Sequence, residues 1–310
     1  MIYINPFYLF VIALKVSKSS ALIFLECTDE SVSTNLEDAI DEALTVAEAA
    51  NKYLLDGSYS EEVKAGLLPI WREQDFAPIA ITLGLIGNIE TAKEHYHIFC
   101  DEDHLQWNDA RNAWLDTAFT YTYTDDDGST KDYPISISRG YDPKLNKNTK
   151  PFDLGRSWVL AGKKGQLNGR EIDFSDQYHV HMNPKIFSNA DPRSIQTIVA
   201  DGFQAGFDAL DKIQPPSMVI LHELSHLVRG LDENGNLIIT DGPAQRQYYG
   251  YAAAVQAKVD AGNGGGAPNL IANSIEYGTK IMALVEVMGS SVWWSTGRID
   301  LNTYEAIARD

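Results

Sequence analysis

Residues 219–230 read VILHELSHLVRG. Within them, His222-Glu223-Leu224-Ser225-His226 sets two imidazoles four positions apart with a glutamate beside the first. On a helix, positions i and i+4 share a face, so both rings can reach one metal ion. Glu223, one residue along, stands beside that face and can take a proton from a water that the metal activates. Zinc suits the pair, because a catalytic zinc takes three protein ligands and leaves a fourth position for water. The flanks predict a buried helix. Pro215-Pro216 stop the preceding chain, Ser217 can cap a new helix, residues 218–221 are apolar, and Gly230 can end it. Two histidines and a glutamate in such a helix are costly unless they have partners, which a metal and its surroundings supply.

Three carboxylates compete for the third ligand position. Asp241 follows Leu237-Ile238-Ile239-Thr240 and precedes Gly242-Pro243. Asp232 lies ten residues after His222, where the H-E-x-x-H-x-x-G-x-x-H/D pattern has its third ligand. Here, however, Arg229 fills the glycine slot and Gly230 comes one place late. Glu276 falls on a later predicted helix.

HELSH, then IITD, then Tyr249-Gly250, then N-x-x-A-N-S-I-E-Y at 269–277, together resemble the deuterolysin-type aspzincins. The chain is especially similar to fungal secreted members described as lysine-specific metalloendopeptidases. In that family H-E-x-x-H is followed by G-T-x-x-D-x-x-Y-G, whose Asp is the third zinc ligand and whose Tyr stabilises the oxyanion. The resemblance therefore implies His222, His226 and Asp241 as zinc ligands, Glu223 as general base and Tyr249 as oxyanion donor. It also implies a zincin-like fold, a twisted sheet packed on the active-site helix. Two departures stand out: eight residues separate Asp241 from Tyr249 rather than three, and no glycine precedes Thr240. Tyr248 and Tyr251 are thus rivals to Tyr249.

Other suggestive residues carry blander readings. His179 and His181, two apart on a predicted strand, share a face and are expected to line or flank a cleft. Met282 and Met288 are expected in the core. Asp125-Asp126-Asp127 before Gly128 lacks the spacing of a calcium loop and reads as a solvated hairpin turn. Gly-rich 262–266 follows no strand and is no phosphate loop.

The elements that must position these residues follow from periodicity. Residues 35–56 form an amphipathic helix, with Ile40, Leu44, Ala47 and Leu54 at helical spacing. Residues 60–73 and 88–118 also read as helical. Residues 120–138 alternate around an Asp-Gly turn and predict a β-hairpin. Residues 139–156 read as a loop, 171–182 as a strand, 192–212 as a helix, 262–268 as a loop and 269–290 as a final helix. Helices, then strands, then helices make an α+β class. A single metallopeptidase domain is expected over 22–310, its zinc-site half at about 171–290.

The 310 residues carry 25 Lys+Arg against 43 Asp+Glu, a net charge of −18. That balance argues against nucleic acid, which needs a cationic face, and against an anionic membrane surface. The apolar run at 2–14 is too short to span a bilayer and has the length of a signal-peptide core, with Ser19 and Ala21 before a cut after residue 21. A secreted protein is expected, in which Cys27 and Cys100 most simply pair. The function this predicts is a secreted zinc metalloendopeptidase acting on protein or peptide substrates. The alternative is a catalytically degenerate zinc-binding or adhesion protein on the same scaffold, which could dispense with Glu223. The acidic composition would favour Lys or Arg beside the scissile bond.

Overall fold

The computed structural model describes residues 23–27, 30–57, 59, 61–91, 95–100, 105–108, 110, 113–124, 126–139, 155–159, 164–167, 170–173, 177–183, 186, 194–201, 210–243, 249–263, 266–284, 297–299 and 306–308. Helices and strands are mixed among them. Strand β1 (Ile23–Glu26) leads into helices α1 (Glu30–Asp56), α2 (Glu61–Leu67) and α3 (Phe76–Gly87). Strands β2 (His95–Phe99), β3 (Leu105–Asn108), β4 (Ala113–Thr124), β5 (Thr130–Arg139), β6 (Gly155–Val159), β7 (Lys164–Leu167), β8 (Arg170–Asp173) and β9 (Gln177–Met182) follow. Helices α4 (Ile195–Asp201), α5 (Pro216–Val228), α6 (Tyr251–Ala261) and α7 (Ala272–Met282) come next, then the short pair β10 (Gly297–Ile299) and β11 (Ala306–Ala308).

One sheet has the order β1-β2-β9-β6. Its first three strands are parallel, and β6 runs antiparallel to β9 at the end. Tyr96, Ile98, Val180 and Met182 from one face of this sheet join a core shared with α1, α3, α5 and α7. Within that core, α1 lays Leu36, Ile40, Ala43, Ala47 and Leu54 inward, each large aliphatic chain contributing roughly 1.5–3 kcal/mol by leaving water. It packs on α3 so closely that a Cβ at Gly87 would stand 2.7 Å from the Glu48 backbone nitrogen. Helix α5 lies against α1, α3, α7, β6 and β9.

The opposite sheet face carries His95, His97, Phe99, Gln177, His179 and His181 in register. His97 Nε2 donates to Gln177 Oε1 at 2.6 Å. The His97 and His179 rings meet edge to face at 5.8 Å, and His181 stacks on Phe99. Burial pushes the His97 imidazole below its ordinary range. Burial, and then the neighbouring His97 and His181, push His179 well below it. His179 and His181 are both fully buried, so they do not line an open cleft as the sequence suggested; the strand that carries them is interior.

A second sheet joins β3, β4, β7 and β8 in antiparallel order, with β5 also paired to β4. The predicted hairpin is its β4–β5 pair, closing at Thr124↔Thr130. Ser129 N–H donates to Asp127 Oδ1 at 2.8 Å in the expected turn. Cys27 and Cys100 are joined (S–S 2.03 Å), tying the ends of the parallel neighbours β1 and β2. Closing a loop of 73-residue separation is worth about 4 kcal/mol in the chain-entropy account.

Several elements differ from the sequence reading. Residues 88–118 are not a helix: they hold β2, β3 and the start of β4. Strand β2 is buried at Tyr96, His97, Ile98 and Phe99, so it lacks the apolar-polar alternation that marks a half-exposed strand. Helix α3 went unread because FAPIAITLGLIG is apolar all round and shows no stripe. Helix α2 stops at Leu67, short of residue 73. Residues 171–182 divide between β8 and β9. Alanine-rich α6 was missed. The predicted helix at 192–212 is described only as α4 and a short 3-10 turn at Leu210–Lys212. Residues 1–21, residues 140–154, Tyr248 and Met288 lie outside the described residues.

Candidate metal centre

Helix α5 begins at Pro216, with Pro215 as the residue before its first turn. Ser217 therefore does not cap the helix, as the sequence suggested. It sits inside the first turn and its hydroxyl donates to Glu42 Oε2 of α1 at 2.5 Å. The helix ends as predicted: Arg229 follows the last turn and Gly230 adopts φ 67°, a conformation glycine takes at little cost. All residues from Pro216 to Leu227 are buried, so His222, Glu223 and His226 stand on a rigid interior element.

Their third partner is Asp241. His222, His226 and Asp241 each offer one ligand atom, and these atoms lie within 4.8 Å of one another. Asp241 Oδ1 is 3.0 Å from His222 Nε2 and 3.3 Å from His226 Nε2. Asp241 is held by the backbone beside it. Thr240 N–H donates to Leu270 O, and Ala272 N–H donates to Thr240 O, both at 3.0 Å. The acid is thereby clasped to the start of α7.

The outer nitrogen of each imidazole is also occupied. His226 Nδ1 lies 2.9 Å from the Ile239 carbonyl, an oxygen that can only accept, so Nδ1 donates there and Nε2 is the nitrogen that faces the cluster. His222 Nδ1 lies 3.1 Å from Glu276 Oε2. Burial works against a charged His222, but the hydrogen bonds to Asp241 and Glu276, helped by the charge of Glu223, push it up to about 10. Burial likewise works against the Asp241 carboxylate, yet its hydrogen bonds to both histidines hold it well below the usual range.

Among the described residues, the acids Glu223, Asp241 and Glu276 stand in or beside the cluster, with the buried Lys280 as the cation next to them. A protonated His222 offsets part of that excess; with both imidazoles neutral, as ligands to a metal must be, the group carries two net negative charges, which a low-dielectric interior penalises. A divalent cation at the His-His-Asp cluster neutralises it. The donor set and the charge therefore fit a metal ion.

Glu276 touches His222 on the side away from Asp241, so it lies outside the three-residue group. Asp232 is exposed and accepts from the Asn234 and Asn236 backbone N–H groups; it forms a turn and lies outside the His222, His226 and Asp241 group. Tyr249 O–H donates to Asp241 Oδ2 at 2.8 Å, and its ring stacks on His222 with 6.3 Å between centroids. Tyr251 is fully buried on α6, which removes it as a rival. Tyr249 is placed by its neighbour. Gly250 N–H donates to Asn273 Oδ1, and Asn273 Nδ2 donates back to Gly250 O, both at 3.0 Å.

Two residues of the site escaped the sequence reading. Gly155 on β6 faces Glu223, extending the site beyond the expected 171–290. Lys280 lies at 3.1 Å from Glu276 Oε1, and its spacing four residues after Glu276 in an apolar stretch was a readable signal. No protein-family model, no curated protein and no solved structure matches the chain. The His222/His226/Asp241 group can hold a metal ion, which is the point at which the sequence expectation and the structure meet.

Proposed function

We propose that this protein is a zinc-dependent metalloendopeptidase of zincin-like fold, secreted and acting on protein or peptide chains. The observation that carries the reading is the convergence of two imidazole nitrogens and one carboxylate oxygen within 4.8 Å, beside a buried glutamate that none of the three needs as a ligand. Zinc suits two nitrogens and one oxygen, and when bound it supplies the Lewis acidity that polarises a carbonyl and lowers the pKa of water. His222, His226 and Asp241 would hold it.

Glu223 takes the proton of the attacking water at its carboxylate and passes it to the leaving amine. The Tyr249 hydroxyl turns from Asp241 to donate to the developing oxyanion. Tyr249 as a residue is 58% exposed, so a substrate can reach it. The Cys27–Cys100 bridge supports an oxidising, extracellular setting.

The test is the purified full chain. It should bind about one zinc ion and cleave a denatured protein in a chelator-sensitive way. Zinc binding without cleavage of any denatured protein would move the assignment to a zinc-binding protein that uses the same ligands.

A further inference from the structure

Lys280 is completely buried, a costly position for an ammonium group, and nothing in the proposed hydrolysis uses it. Its surroundings form a chain that ends at the metal centre. Lys280 Nζ is 3.1 Å from Glu276 Oε1, and Glu276 Oε2 is 3.1 Å from His222 Nδ1. On its other side the ammonium lies 4.0 Å from the centroid of the Tyr277 ring. The Tyr277 hydroxyl donates to Asp211, which also accepts the Tyr251 backbone N–H at 2.8 Å. Helix α7, which carries Glu276, Tyr277 and Lys280, cannot easily turn or slide. Trp71 Nε1–H donates to Ser274 O at 2.9 Å, and a Cβ at Gly278 would lie 1.9 Å from Trp71 Cζ2.

We propose that Glu276 and Lys280 are positioning residues for the metal: Lys280 fixes one oxygen of Glu276 so that the other holds the Nδ1–H of His222, leaving Nε2 aimed at the ion. This rests on the reading that His222, His226 and Asp241 bind the metal. An imidazole can rotate about its link to the backbone, and a carboxylate on its outer nitrogen fixes both ring orientation and tautomer. His226 has a backbone carbonyl for that purpose, fixed by the chain itself. The Glu276 side chain could turn away, and the ammonium, seated on an aromatic face, prevents this. Lys280 therefore acts on His222 only through Glu276.

The experiment titrates the metal-free full chain with Zn2+, and separately with Co2+ followed by its visible d–d absorption. Glu276→Gln is expected to weaken Zn2+ binding about 10- to 100-fold and to shift the Co2+ bands, because the ligand field changes. Lys280→Met is expected to shift those bands in the native background and to leave them unmoved when Glu276→Gln is already present. Should Glu276→Gln fail to fold, Glu276→Asp keeps the charge, draws it back by one methylene and is expected to lose affinity as well. Wild-type Zn2+ affinity and Co2+ bands in either Glu276 variant would overturn the proposal. So would an equal band shift from Lys280→Met in both backgrounds. A wild-type chain that binds neither ion would overturn the metal-site reading instead.

Discussion

A Cβ built on Gly155 stands 2.8 Å from both Cγ and Oε1 of Glu223. Strand β6 and the proposed general base are therefore packed so closely that only a hydrogen fits between them. Gly155→Ala is expected to push the Glu223 carboxylate aside while leaving the two histidines and Asp241 in place. A displacement near 1 Å from productive geometry can cost on the order of 100-fold in rate. Zinc content measured beside the cleavage rate separates the two effects; loss of zinc along with rate would mean that the damage is wider than Glu223.

Glu223→Gln keeps the shape of the side chain and removes its basicity. The expected result is wild-type zinc stoichiometry with peptide cleavage reduced by about 100- to 10,000-fold, the usual contribution of general acid-base catalysis. Metal analysis and a quenched-fluorescence peptide assay check both halves.

Asp241→Ala should abolish stable zinc binding, because the cluster keeps only two nitrogens, while Asp232→Ala should leave it unchanged, since Asp232 serves an exposed turn. Tyr249→Phe removes the hydroxyl that reaches Asp241 Oδ2. It should retain the metal and lower kcat by about 100- to 1,000-fold, as for loss of one oxyanion donor. Equilibrium dialysis and steady-state kinetics distinguish these three outcomes.

The parts of this arrangement that were legible in the sequence are local. His222, Glu223 and His226 share one helical turn, the Cys27–Cys100 pair had no competitors, and the β4–β5 hairpin announced itself by alternation around Asp-Gly. Residues that depend on long-range packing were not legible. Gly155 has meaning only because β6 lies against α5, and Glu276 appeared as a rival ligand because sequence distance does not say which nitrogen of His222 it meets. Helix α3 and strand β2 were misread for a related reason: elements buried on every side lose the polar half of their pattern.

The metal-free protein should be most stable near pH 6.5. His97 and His179 have pKa values lowered by folding, so below about 6.5 the unfolded chain binds protons that the folded chain refuses. Stability falls there as pH drops, by up to about 1.4 kcal/mol per pH unit for each histidine. His222 has its pKa raised to about 10, so its contribution is complete below 6.5 and is lost as pH climbs toward 10. Denaturant midpoints across pH 5–10 trace both limbs. His179→Gln should flatten the acid limb, and saturating zinc should flatten the alkaline one, because zinc replaces the proton on His222.

Asp241 and Tyr249 are moored separately to the same helix, the first through Thr240 with Leu270 and Ala272, the second through Gly250 with Asn273. With both tethered to one beam, the acid and the phenol take their relative position from a single rigid element. A shift of that helix as a unit therefore carries both groups along, and their 2.8 Å contact parts only when one of the two moorings gives way.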